Sequence, residues 1–278
     1  MGEMMNRGFA RVSCCLLILG SSLSCRPEPA PELPVIDYTL GDYFFQGPDT
    51  VPAGRVTFRL ELASEAPHVL DLVRLEQGKR IGDLMAAGED AYDSSWVKSV
   101  GGGVTSKAGT RPEYTLRLVP GVYVMLCYFS APDHEPHFAK GMVKELIVRG
   151  TAPSTALPQP DLEVRLVSFG FEVSAPLAAG LRTIRVTNPS DQPHEMIISR
   201  LKDGFTLEQA RARADSAEPK GPSPWENYGG VADLAPGDTT VMTATFTPGT
   251  YRMFCFFQAK DEKMNHAERG MMQVFRID

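Results

Sequence analysis

The chain has 278 residues, of which 43% are hydrophobic and 22% charged, with a formal net charge of −6 at pH 7. This composition excludes wholesale disorder and a multispanning membrane protein, and the length suffices for two domains that each bury a core. The acidic balance argues against a nucleic-acid partner, and 25 Gly with 22 Pro favour short strands and turns over long helices.

Residues 1–25 read as an export signal. Arg7 and Arg11 make a basic start, residues 14–19 form a short apolar stretch, and small residues follow up to Ser24. The apolar stretch is too short to span a bilayer. The ending Ser22-Leu23-Ser24-Cys25 resembles a bacterial lipobox, with Ser22 where Leu is usual. Cys25 is therefore expected to be lipidated and to anchor the protein to a membrane, on the periplasmic side or at the cell surface. Removal of the signal takes away Arg7, Arg11 and Glu3 and moves the net charge from −6 to −7. Residues 26–34 contain Arg26-Pro27-Glu28-Pro29-Ala30-Pro31, a tether that proline holds extended.

The remainder of the chain is a duplication. A first domain is expected over residues 35–150 and a second over 161–278, joined by a Pro, Ala, Ser and Thr-rich linker at 151–160. Pro67-His68 aligns with Pro193-His194, and Trp96 with its following Gly101-Gly102 aligns with Trp225 and Gly229-Gly230. Pro120-Gly121-Val122-Tyr123-Val124-Met125-Leu126-Cys127 aligns with Pro248-Gly249-Thr250-Tyr251-Arg252-Met253-Phe254-Cys255. In the first copy, residues 55–62, 69–75, 114–118, 122–129 and 143–148 have the composition of strands. In the second copy the corresponding runs are 162–173, 181–187, 195–201, 239–246, 250–257 and 272–277. One helix is expected in each copy, over 79–87 and 207–214. Many short strands with one insertion per copy predict an all-β chain of two tandem Greek-key β-sandwich domains. With a strand period of two, Tyr123, Met125, Cys127 and Phe129 share an inward face, as do Tyr251, Met253, Cys255 and Phe257.

Beyond the signal and Cys25, the only cysteines are Cys127 and Cys255, at equivalent places in separate copies. An exported protein ordinarily pairs its cysteines, so these two read as thiols reserved for another use. Nine residues separate Cys127 from His137, and four further residues lead to Met142. In the second copy ten residues separate Cys255 from His266, and four lead to Met271. His68 and His194 open an upstream strand in each copy. A thiolate, two neutral imidazoles and a weak thioether suit copper in both oxidation states, whereas structural zinc favours more thiolates or imidazoles and no thioether. Gly141 and Gly270 would let the backbone turn toward the ion.

These features resemble the cupredoxin, or blue copper, superfamily. Asn188-Pro189-Ser190-Asp191-Gln192-Pro193-His194 is similar to the family's turn into its first histidine, and Cys255, His266 and Met271 to its closing ligand loop. The resemblance covers nearly all of both copies. It implies one copper on His68, Cys127, His137 and Met142 and a second on His194, Cys255, His266 and Met271, up to two per chain. The gap from Cys to His is longer than in the family's small electron carriers and closer to the type 1 site of copper nitrite reductases. The first copy also lacks the Asn that the second has at position 188.

The expected function is electron transfer at the cell envelope, with a redox protein as partner. The alternatives are Cu(I) buffering or transfer with a copper donor or acceptor, and a metal-free binding module. Catalytic copper of the oxidase or reductase kind needs more imidazoles than the one spare histidine, His134, which is expected in a solvated loop. His137 and His266 are the expected electron ports.

Overall fold

Alternation of apolar and polar residues, broken by Gly, Pro and Asp, folds each copy into short strands. The computed structural model describes residues 33–88, 91, 94–105, 109–151, 155–214, 216, 220–258 and 263–278. The expected signal, Cys25 and most of the tether lie outside the described residues, as do 152–154 of the expected linker.

The first repeat contains β1 (Val35–Gly41), β2 (Phe44–Gln46), β3 (Thr50–Pro52), β4 (Gly54–Leu62), β5 (His68–Leu75), α1 (Ile81–Ala87), β6 (Val97–Thr105), β7 (Glu113–Leu118), β8 (Gly121–Leu126) and β9 (Val143–Arg149). A 3-10 turn at His137–Lys140 lies between β8 and β9. The second repeat contains β10 (Leu162–Val167), β11 (Gly170–Val173), β12 (Gly180–Thr187), β13 (His194–Leu201), α2 (Leu207–Ala214), β14 (Trp225–Leu234), β15 (Thr239–Phe246), β16 (Gly249–Phe254) and β17 (Met272–Ile277).

Each repeat is a Greek-key sandwich, and the repeats share their sheets. One sheet has the order β11-β10-β12-β15-β7-β4-β1-β2, and the other β17-β16-β13-β14-β6-β5-β8-β9-β3. The junctions pair equivalent strands. Val241 faces Thr115 between β15 and β7, and Val231 faces Gly103 between β14 and β6. Self-equivalent pairing of this kind is what a two-fold relation between repeats produces. One apolar cluster spans the junction, running from Tyr38, Phe58, Leu72 and Tyr123 to Ile184, Met242, Phe246 and Tyr251. Full burial of each such side chain contributes about 1.5–3 kcal/mol. The junction therefore stabilises both halves together.

Several expectations change. The run expected over 162–173 is two strands, β10 and β11, separated by the turn residues Ser168 and Phe169. The strands expected to reach Phe129 and Phe257 end at Leu126 and Phe254. From Cys127 and Cys255 onward the backbone bonds to the ligand loop. Tyr123, Met125 and Cys127 are buried as expected, but Val124 and Leu126 on the opposite face are buried too, because α1 covers them with Leu84.

The Gly-rich strands β6 and β14 were not expected, since glycine weakens a strand signal. A bulge explains their glycines. A Cβ on Gly102 would lie 1.9 Å from the Leu70 carbonyl oxygen, and one on Gly230 2.2 Å from that of Met196.

Candidate metal centres

Each repeat delivers its ligand residues from two places. His68 opens β5 and His194 opens β13, while Cys127 and Cys255 stand just past the ends of β8 and β16. The remaining residues come from the loop after the cysteine, which the backbone clamps in the same way twice. In the first repeat, Cys127 N–H donates to Met142 O at 3.2 Å, Phe138 N–H to Cys127 O at 2.9 Å, and Met142 N–H to His137 O at 2.9 Å. In the second, Cys255 N–H donates to Met271 O at 3.2 Å, Ala267 N–H to Cys255 O at 2.7 Å, and Met271 N–H to His266 O at 2.8 Å. Gly141 and Gly270 turn the chain ahead of each methionine with φ of 107° and 108°, the left-handed region that favours glycine. Met142 and Met271 are fully buried.

The structure gathers His68, Cys127 and His137 into one buried group, and His194, Cys255 and His266 into another. In each group the ligand atoms lie within 4.8 Å of one another. In the first, the two Nδ1 atoms are 3.1 Å apart and lie 3.8 Å (His68) and 3.4 Å (His137) from Cys127 Sγ. In the second, the corresponding distances are 3.0, 3.9 and 3.6 Å. Three donors about 2.0–2.3 Å from a central ion in one plane lie about 3.5–3.7 Å apart. The observed separations bracket that span, so the residues fit a trigonal metal.

Electrostatics agree with this fit. Burial, and then the neighbouring His137, push His68 down to about 4; burial and then His266 do the same to His194. Burial also lowers His137. The rings of His68, His137 and His194 are thus held toward the neutral form that ligation requires. Burial pushes the Cys127 thiol up to about 11. Cys255 is raised too, first by burial and then by the Glu195 carboxylate. A metal binding here displaces a proton from each thiol. Backbone N–H groups of Val69 and Glu195 each point at a sulfur from 3.4 Å and favour the thiolate. The chemistry of this donor set fits copper.

The neighbouring groups differ between centres. Ser64 Oγ lies 2.8 Å from His68 Nε2. In the second repeat Ser190 instead bonds Asn188 and Gln192, and buried His194 Nε2 has no partner. Asn188 pins its turn by donating from Nδ2 to the Gln192 and Leu234 carbonyls. His134, the spare histidine, is exposed in its loop with φ 70°.

Two pairs of residues near the centres were not foreseen. Tyr43 and Phe169, in the two-residue turns between β1 and β2 and between β10 and β11, cover the loop histidines edge-on. The ring centroids are 5.2 Å from His137 and from His266. Both adopt positive φ, 64° and 59°, which costs a bulky residue about 1–3 kcal/mol. Lys140 lies over the Tyr43 ring and Arg269 over the Phe169 ring. An aromatic residue where a tight turn calls for Gly or Asn was the available signal. Consequently His137 is only 3% exposed and His266 fully buried, and neither reaches the surface as the expected electron ports would.

The second pair joins the repeats. Tyr128 O–H donates to Glu195 Oε2 at 2.8 Å, and Phe256 N–H donates to Glu195 Oε1 at 2.7 Å. Tyr128 follows ligand residue Cys127, Glu195 follows His194, and Phe256 follows Cys255. The link is one-sided, since the equivalents of Tyr128 and Glu195 are Phe256 and Val69. Only the shared sheets bring these residues together, and no sequence pattern reveals that.

No protein-family model matches the sequence, and no curated protein does. The chain is similar, at low identity and low TM-score, to several solved structures. An auracyanin from Roseiflexus castenholzii is 22% identical, covering 42% of this chain and 94% of its own, with a TM-score of 0.29. Auracyanin A, a blue copper protein from Chloroflexus aurantiacus, is 18% identical over 42% of this chain and 98% of its own, with a TM-score of 0.28. The blue copper oxidase of Nitrosomonas europaea is 16% identical over 88% of this chain and 86% of its own, with a TM-score of 0.24.

Proposed function

We propose that the protein transfers electrons at the bacterial cell envelope, with one type 1-like copper in each repeat, a lipid anchor at Cys25 and a redox protein as partner. The observation that carries this reading is the pair of buried His, Cys, His groups that the fold gathers. Bound copper would supply a one-electron couple, which this mixture of thiolate and imidazole supports in both oxidation states.

The chain does the rest. The clamped loops and strand ends fix the donors, so they move little when the charge at the centre changes. Tyr43 and Phe169 cover the loop histidines edge-on. Tyr128 and Glu195 join neighbours of Cys127 and His194 through a single hydrogen bond, a connection that favours communication between the centres.

Of the five histidines, four belong to the two groups and His134 is exposed, which leaves no imidazole set for a catalytic copper. Copper handling is the second reading. It is favoured by Met264 and Met272, which are 49% and 47% exposed and flank His266 in sequence. Against it stands the burial of every His and Cys donor, since a site that hands its metal on needs a ligand the acceptor can reach.

The test is to load the purified protein with Cu(II), reduce it with ascorbate, and reoxidise it repeatedly. Electron transfer predicts intense visible absorption that bleaches and returns without loss of metal. Retention of Cu(I) alone, with no stable coloured form, would favour handling and contradict the proposal.

A further inference from the structure

The outer face of β16 carries a feature that the metal centres do not use. Arg252 packs against two aromatic rings, its guanidinium carbon 4.6 Å from the centroids of both Trp225 and Phe254. Its buried Nε has no hydrogen-bond partner, and among the described residues no carboxylate pairs with it. It lines a cavity of about 790 Å³, together with Ser199, Lys202, Trp225, Asn227 and Tyr228.

The first repeat shows what this face looks like when it is closed. There Val73, Leu84 and Val124 pack into a buried apolar cluster beneath α1. The equivalent residues in the second repeat are Ser199, Ala210 and Arg252. Two large apolar side chains have become small, and the third has become a cation. Ser199 and Arg252 both line the cavity.

A partly buried cation with no carboxylate paired to it is unfavourable, and burial alone lowers the Arg252 guanidinium to about 10. The neighbouring Arg200 is already engaged, 3.1 Å from Asp203 and 3.6 Å from Glu226. With Trp225 and Phe254 against the guanidinium and Nε unpartnered, its N–H edge is the group that binds a planar oxyanion through two parallel bonds. Glu65, Asp203 and Glu226 also line the cavity and oppose a dianion such as phosphate. Trp225 and Tyr228 offer apolar wall to an organic body.

We propose that this cavity binds a small organic monocarboxylate, with its carboxylate on Arg252 and its apolar body against Trp225 and Tyr228. The site is independent of the copper reading and stands if that reading fails.

Calorimetric titration of the full chain with benzoate, acetate and inorganic phosphate tests it. Benzoate is expected to bind saturably, acetate more weakly, and phosphate least. Arg252→Gln should weaken benzoate by at least about tenfold, and Ser199→Val with Arg252→Val, which rebuilds the closed face of the first repeat, should abolish binding. Should these variants fail to fold, benzoate must still shift the Trp225 indole and Arg252 side-chain resonances of the unaltered protein. Absence of those shifts, unchanged binding by Arg252→Gln, or phosphate binding tighter than benzoate would overturn the proposal.

Discussion

In the first repeat the strand that leads to the cysteine presents Val122, Val124 and Leu126 to helix α1, and the face is closed. In the second repeat the same positions are Thr250, Arg252 and Phe254, and a cavity opens there. Toward the metal centres the repeats behave oppositely. The three loop hydrogen bonds, the glycine before each methionine, the strained aromatic lid and the cation above it all occur twice. A ligand cage is set by backbone geometry and tolerates little change, whereas an outer face needs only to be covered or solvated. Between these extremes lie the groups around the donors, where Ser64 supports His68 and nothing equivalent supports His194.

The largest expected effect probes what the repeats share. Gly102→Ala and Gly230→Ala each drive a methyl group into a backbone carbonyl at positive φ, so each should lose about 3 kcal/mol or more in denaturant unfolding. Equal losses are expected, and a loss in one repeat alone would break the equivalence. Tyr128→Phe removes a donor from the buried Glu195 carboxylate and should cost about 1–3 kcal/mol. Phe256→Tyr, at the exposed equivalent position, should cost nearly nothing by the same measurement.

A smaller effect separates the centres. Ser64→Ala leaves His68 Nε2 as unsupported as His194 Nε2, and it should weaken copper at the first centre by about tenfold. Competition with a chelator reads that change, and the second centre should not move.

The smallest effect is a pH dependence at the junction. Half-buried Asp233 is raised above the ordinary carboxylate range by desolvation. The folded state therefore holds a proton that the unfolded chain releases first, and stability falls as pH rises from about 4 toward neutral. Asp233→Asn should gain about 1 kcal/mol at pH 8 and nothing at pH 4, measured by urea unfolding of the metal-free protein.

Much of this was legible in the sequence because it depends on local pattern. The repeat offset, the His, Cys, His order and the glycine ahead of each methionine lie along the chain, and the structure gathers the His, Cys and His of each repeat. What escaped depends on distant pairing. Strands β1 and β10 run parallel to β4 and β12; β1 was not expected, and β10 was expected only as part of a longer run over 162–173. The junction of the sheets rests on a few self-equivalent pairs, and Glu195 became a neighbour of Tyr128 only through it. Tyr43 and Phe169 escaped for another reason, since they occupy a conformation that their side chains disfavour and that tertiary contacts impose.

The central claim is that each repeat builds its own copper centre on one thiol and two imidazoles. Copper content and visible absorption, measured on the unaltered protein and on Cys127→Ser and Cys255→Ser after loading and dialysis, test it directly. Two coppers per chain are expected, falling to one in either variant with loss of that centre's absorption. Copper content and colour that neither substitution changes would contradict the account.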